Sequence, residues 1–101
     1  MKGKTYMKLK IDNVDIGIAI NCLNQMRPRY ADDVQKEIDE TLWSLIEIYD
    51  HMKPGRRRKI RITPAEHRLI VKCLIDWRNL FLSVGETSKA EAISDTICLF
   101  V

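Results

Sequence analysis

The sequence predicts a mainly α fold, with four helices arranged as two pseudo-repeated αα-hairpins. A short β-strand precedes each hairpin, and the two strands are free to pair as a two-stranded ribbon. Three observations carry this reading. Apolar residues recur at helical spacing through four separate stretches, and two brief stretches alternate apolar with basic residues instead. In addition, the second half of the chain repeats much of the first at an offset of 51 positions.

The first strand is "MKLKI", where Met7, Leu9 and Ile11 share one side. Asp12 then offers an N-cap, with Asp15 placing a carboxylate in the first helical turn. Ala19, Cys22, Leu23, Met26 and Tyr30 follow at helical spacing. Arg27-Pro28 should end this helix, because proline disfavours helical geometry in the residue before it. Asp32 and Gln35 have the spacing of a capping box for the second helix. Its stripe is Val34, Ile38, Leu42, Leu45 and Tyr49, widened by Trp43, Ile46 and Ile48.

The segment 53–59, "KPGRRRK", reads as a basic linker punctuated by Pro54-Gly55. Ile60 and Ile62 alternate with Lys59 and Arg61 as a second strand. Thr63-Pro64-Ala65-Glu66 is a complete helix start, with N-cap, proline at the first helical position and glutamate at the third. Ile70, Cys73, Leu74, Trp77, Phe81 and Val84 line one face, and Gly85 suits the C-terminal cap. Ser88 and Glu91 again have capping-box spacing, and Ile93, Ile97 and Phe100 carry a last apolar stripe.

Across the offset, Lys8, Ile11, Cys22 and Leu23 meet identical residues at Lys59, Ile62, Cys73 and Leu74. Residues 8–52 and 59–101 therefore read as two halves of a single domain spanning 1–101. Neither half can bury its apolar stripes alone, and stacking them closes one core.

Composition narrows the function classes. With 46% apolar residues the chain is a folding one, and 101 residues suffice for one modest core. A net charge of +3 is only mildly basic. The sequence holds no apolar run long enough for a membrane span, and the start "MKGKTYMKLK" has no secretory h-region, so a cytoplasmic setting is expected. Cys22, Cys73 and Cys98 form no close-spaced pair, which points to reduced, buried thiols and to no metal site. His51 and His67 have no metal-ligand spacing with a cysteine, and His67 reads as a solvated helix residue. Without a phosphate loop or nucleophile elbow, neither catalysis nor a cofactor is expected.

Residues 59–97, under half of the chain, resemble a helical hairpin of short uncharacterised proteins from phages and mobile elements of Gram-positive bacteria. The resemblance rests on Ile60, Ile62, Thr63, Glu66, Leu69, Leu74, Arg78, Asn79, Gly85 and Asp95. The usual acidic pair before the last apolar run is here reduced to Ser94-Asp95. The resemblance implies a class of source and carries no activity with it.

Three groups of residues are candidates for function. Arg27 and Arg78 occupy equivalent positions, as a pair of guanidinium forks suited to an anion or nucleotide. The bland reading is that each bridges to its own second helix, through Glu40 and Asp95. Arg56, Arg57, Arg58 and Lys59 form a basic contact surface for nucleic acid or an acidic protein, or simply a solvated linker. Trp43, Ile46, Leu99 and Phe100 exceed what single stripes need and suggest self-association into a homo-oligomer. The leading expectation is a non-enzymatic small binding protein. Its most concrete form, drawn from the resemblance, is an anti-defence inhibitor that occludes a host immunity protein or sequesters its nucleotide signal. The alternatives are a nucleic-acid-binding regulator using the basic 56–59 linker and a purely structural assembly protein.

Overall fold

Alternation in one segment and a 3.6-residue period in the next decide where each element begins and what it buries. The computed structural model describes residues 5–101, so the lysines of the first four residues lie outside the described residues. Strand β1 spans Met7–Ile11, helix α1 Asn13–Met26 and helix α2 Asp32–Asp50. Strand β2 spans Arg58–Ile62, helix α3 Pro64–Ser83 and helix α4 Thr87–Phe100. The fold is thus mainly helical, with four α-helices and one two-stranded antiparallel sheet among the described residues. In that ribbon Met7 pairs with Ile62, Lys8 with Arg61, Leu9 with Ile60, Lys10 with Lys59 and Ile11 with Arg58.

The caps explain the boundaries. Asp12 accepts a hydrogen bond from the Asp15 amide at 3.0 Å and starts α1 as expected. Proline at position 28 turns the chain into a short 3-10 segment, Arg27–Arg29. Thr63 and Glu66 make both bonds of a capping box at the start of α3. Gly85, at φ +79°, takes the left-handed conformation that follows the end of α3. Two expected boxes are corrected. Ala31, not Asp32, is the N-cap of α2, and Gln35 donates instead to the Tyr30 carbonyl. Likewise α4 starts at Thr87 behind Glu86, which leaves Ser88 inside the helix without a capping bond.

One core joins all the elements. Ile11, Ile16, Leu23, Ile38, Leu45, Ile62, Ile70, Leu74 and Phe100 are its largest fully buried apolar side chains. Helix α3 packs most extensively on α4, whereas α1 meets both α2 and α3, and α2 touches α3 only lightly. Thr96 is buried among these apolar groups and donates to Asp15 Oδ1 at 2.9 Å, which ties α4 to the start of α1. His67 is half-buried rather than solvated, because its Nε2 donates to the Phe100 carbonyl and holds the chain end against α3.

Candidate functional site

The ribbon has two chemically distinct faces, and its register creates both. Met7, Leu9, Ile60 and Ile62 point to the core, the last two fully buried and the first two packed against it. Directly opposed residues share a face, so Lys8 stands across from Arg61 and Lys10 across from Lys59 on the other side. All four are exposed, and the ten residues of the two strands include no carboxylate. Cross-strand like charges disfavour the ribbon itself, so this face costs the fold something. An anion laid across it relieves that repulsion.

The basic run therefore divides by role. Lys59 lies on the outer face. Arg58 belongs to the inner side of the ribbon end, where its Nη1 donates to the His51 carbonyl at 2.9 Å. That carbonyl caps the end of α2, the negative end of the helix dipole. Arg57 stands near the Asp12 and Asp15 carboxylates, and Arg56 is exposed in the turn before β2. Strand β2 takes in the last two residues of the segment expected to be linker. Sequence reasoning missed Lys8, Lys10 and Arg61 as members of the patch. The alternation of both strands was visible, and only their antiparallel pairing brings the cations together.

Beside the ribbon an open groove of about 610 Å³ separates β2 from α2. Tyr6, Glu47, His51, Arg58, Arg61 and Glu66 are among its lining residues, so its walls carry both signs of charge.

Arg27 and Arg78 are not alike. Arg27 grips Asp39 with Nε and Nη2 at 2.8 and 2.9 Å, a two-point pair between the end of α1 and α2. These hydrogen bonds and the charge behind them lower the Asp39 carboxyl below its ordinary range. The bridge to the second helix exists, but Asp39 makes it rather than Glu40. Arg78 reaches only the neighbouring Asn79 side chain at 3.3 Å, and its buried Nε has no partner. Among the described residues it has no carboxylate partner, so the expected bridge to Asp95 is replaced by this local contact.

The four expected self-association residues separate as well. Trp43 is 73% exposed on the outer face of α2, and Ile46 lies one turn further along, half-buried. Phe100 is 1% exposed and Leu99 packs against the core, so these two find their partners inside. Around Trp43 the helix is acidic. Residues 32–50 contain seven of the chain's 14 carboxylates and a single lysine.

A partly buried polar cluster that sequence reasoning did not find lies where the 3-10 segment meets α3. Tyr30 donates to Asp76 Oδ2 at 2.5 Å, and Lys72 reaches the same oxygen at 3.4 Å while lying over the Tyr30 ring. Burial and this bond to Asp76 raise the Tyr30 hydroxyl, which stays protonated. Of the three thiols expected to be buried, Cys98 is exposed on α4; burial raises the other two, Cys22 and Cys73, so neither is a thiolate nucleophile at neutral pH. These groups lock helices together and offer no activated base or nucleophile. Among the described residues no group of histidine, cysteine and carboxylate side chains is set to hold a metal ion, and no helix is long and apolar enough to cross a membrane. No protein-family model, curated protein or solved structure matches the chain.

Proposed function

We propose that the protein is a non-enzymatic binding protein that docks on double-stranded nucleic acid through the outer face of its ribbon. The observation that carries this reading is the pair of like-charge rungs, Lys8 with Arg61 and Lys10 with Lys59, on a face to which the strands themselves contribute no carboxylate. Polyphosphate backbones are the anions that such a row of cations neutralises, with release of condensed counterions. A two-stranded ribbon also has the width to enter the major groove of duplex DNA. Long basic side chains without an aromatic row favour a duplex over a single strand, whose binding relies on base stacking.

The reading extends to the plan of the chain. We read β1–α1–α2 and β2–α3–α4 as pseudo-repeated halves, each a strand leading into a capped helical hairpin. The ribbon is where the halves join, and it draws two of its outer cations from each. The alternative remains the anti-defence inhibitor. Its signal-sequestering form needs Arg27 free for a nucleotide, whereas Arg27 already holds Asp39 at two points. Its occluding form relies on no particular feature of the geometry, so the ribbon reading is preferred.

Fluorescence anisotropy of a labelled duplex, titrated with the protein at low salt, tests the proposal. Binding that weakens steeply with added salt is expected. The absence of binding at low salt contradicts it. Tighter binding to a single strand of the same length would keep the ribbon as an anion site but reject the duplex.

A further inference from the structure

Trp43, in the middle of a charged helix, is 73% exposed, more than any other tryptophan, tyrosine or phenylalanine among the described residues. One turn to either side of Trp43 stand Asp39, Glu40, Ile46 and Glu47. Asp39 is engaged by Arg27, whereas Glu40 and Glu47 are exposed and make no ion pair among the described residues. An indole flanked by two free carboxylates is a receptor for cations. The ring face attracts an ammonium or guanidinium group, and the carboxylates neutralise it.

The matching surface is present on the same chain. The ribbon offers four exposed cations in two rungs with no acid among them, and α2 offers the acidic half of the molecule's charge. Glu47 lines the groove between β2 and α2 together with Lys59 and Arg61, whereas Trp43 and Glu40 lie outside that lining on a helix packed into the same core, so one copy does not lay its own Trp43 onto its own ribbon. We propose that, without nucleic acid, the Trp43 face of one copy binds the basic ribbon of a second copy. The contact is heterologous, joining two different surfaces. Nucleic acid competes for the same ribbon, so binding a duplex releases the second copy. Self-association stands independently of the nucleic-acid reading, and only the release rests on it.

Sedimentation velocity with charge-reversed variants tests this. One variant carries Glu40→Lys and Glu47→Lys. The other carries Lys8→Glu, Lys10→Glu, Lys59→Glu and Arg61→Glu. The wild type is expected to sediment as an assembly at low salt and as a monomer at high salt. Each variant alone should be monomeric at low salt, and an equimolar mixture should associate, because the first retains an intact ribbon and the second an intact Trp43 face. Trp43→Ala, which leaves every charge in place, should weaken wild-type association at least tenfold. Thermal melts of each variant establish that it is folded. Adding duplex to the wild-type assembly should yield monomers bound to duplex.

A wild type that is monomeric at low salt overturns the proposal. So does association that survives in both variants alone, or a mixture that stays monomeric. An assembly that takes up duplex without dissociating overturns the shared use of the ribbon. Anisotropy on the Glu40→Lys, Glu47→Lys variant separates the two ideas. Retained duplex binding there leaves the ribbon reading standing even if self-association fails.

Discussion

The two faces of the ribbon are made by the same ten residues, yet they answer to different demands. On the inner face Leu9 meets Ile60 and Met7 meets Ile62, and each contact removes apolar surface from water at about 25 cal/mol per Å². On the outer face Lys8 meets Arg61 and Lys10 meets Lys59, contacts that work against pairing. A two-stranded ribbon is marginal on its own. Here the inner face is what holds the ribbon, while the like charges of the outer face do not help it to pair. The comparison teaches where to look for function in a small helical protein. Residues that oppose the fold are more informative than residues that support it.

The largest expected effect tests the inner face. Ile62 is buried beneath the ribbon and leads directly into the cap of α3. Ile62→Ala should cost about 2–5 kcal/mol, the range for deleting a large buried aliphatic side chain, and chemical denaturation should show a lower midpoint with an unchanged slope. If the loss is under about 1 kcal/mol, the inner face does not anchor the ribbon as described.

Next comes the cap that links ribbon to helix. Thr63→Ala removes the bond to the Glu66 amide and should cost about 1 kcal/mol, read as a lower melting temperature. Substitution by serine, which keeps the hydroxyl, should restore most of it. The outer face should behave in the opposite way. Replacing Lys8, Lys10, Lys59 and Arg61 with serine should leave the melting temperature equal to or above that of the wild type, because repulsion is removed and no buried contact is lost. A clear fall would mean that these side chains support the fold, and the contrast between the faces would collapse.

The smallest effect concerns the carboxylates at the ribbon's end. Burial raises the Asp15 carboxyl above the ordinary value of 3.8, and its hydrogen bond with Asp12 adds to this, while the Thr96 hydroxyl works the other way. A raised folded-state pKa adds stability below 3.8, which is lost as pH rises through the folded value. Asp15→Asn keeps an oxygen for Thr96 and removes the buried charge. Its stability should therefore be flatter with pH above 3.8 and no lower than the wild type at neutral pH. A steeper fall at neutral pH would show that the charged form of Asp15 is needed.

Much of this was legible in the sequence, because local chemistry decides it. Asp12, Pro28, the Thr63-Glu66 box and Gly85 act within one turn of backbone, and each does what its residue type dictates. The misread boxes at Asp32 and Ser88 have the right spacing, but a capping side chain also needs the chain to enter the helix at that residue, which tertiary packing decides. Long-range pairing was harder to read. Whether Arg27 takes Asp39 or Glu40 depends on how α1 crosses α2, since adjacent helical residues point about 100° apart. Phe100 fitted both the last apolar stripe and a self-association surface, and its burial follows from α4 packing along α3. The basic face needed the register of the ribbon, which joins residues about half the chain apart.

The most direct test of the central claim is the salt dependence of duplex binding, compared between the wild type and the four-serine variant. Each phosphate contact contributes about −0.9 to the slope of log affinity against log salt. Loss of four contacts should flatten the slope by about 3–4 and lower low-salt affinity at least a hundredfold, with the melting temperature maintained. An unchanged slope in a folded variant would contradict the account, since the cations on the outer face would then not be what meets the phosphates.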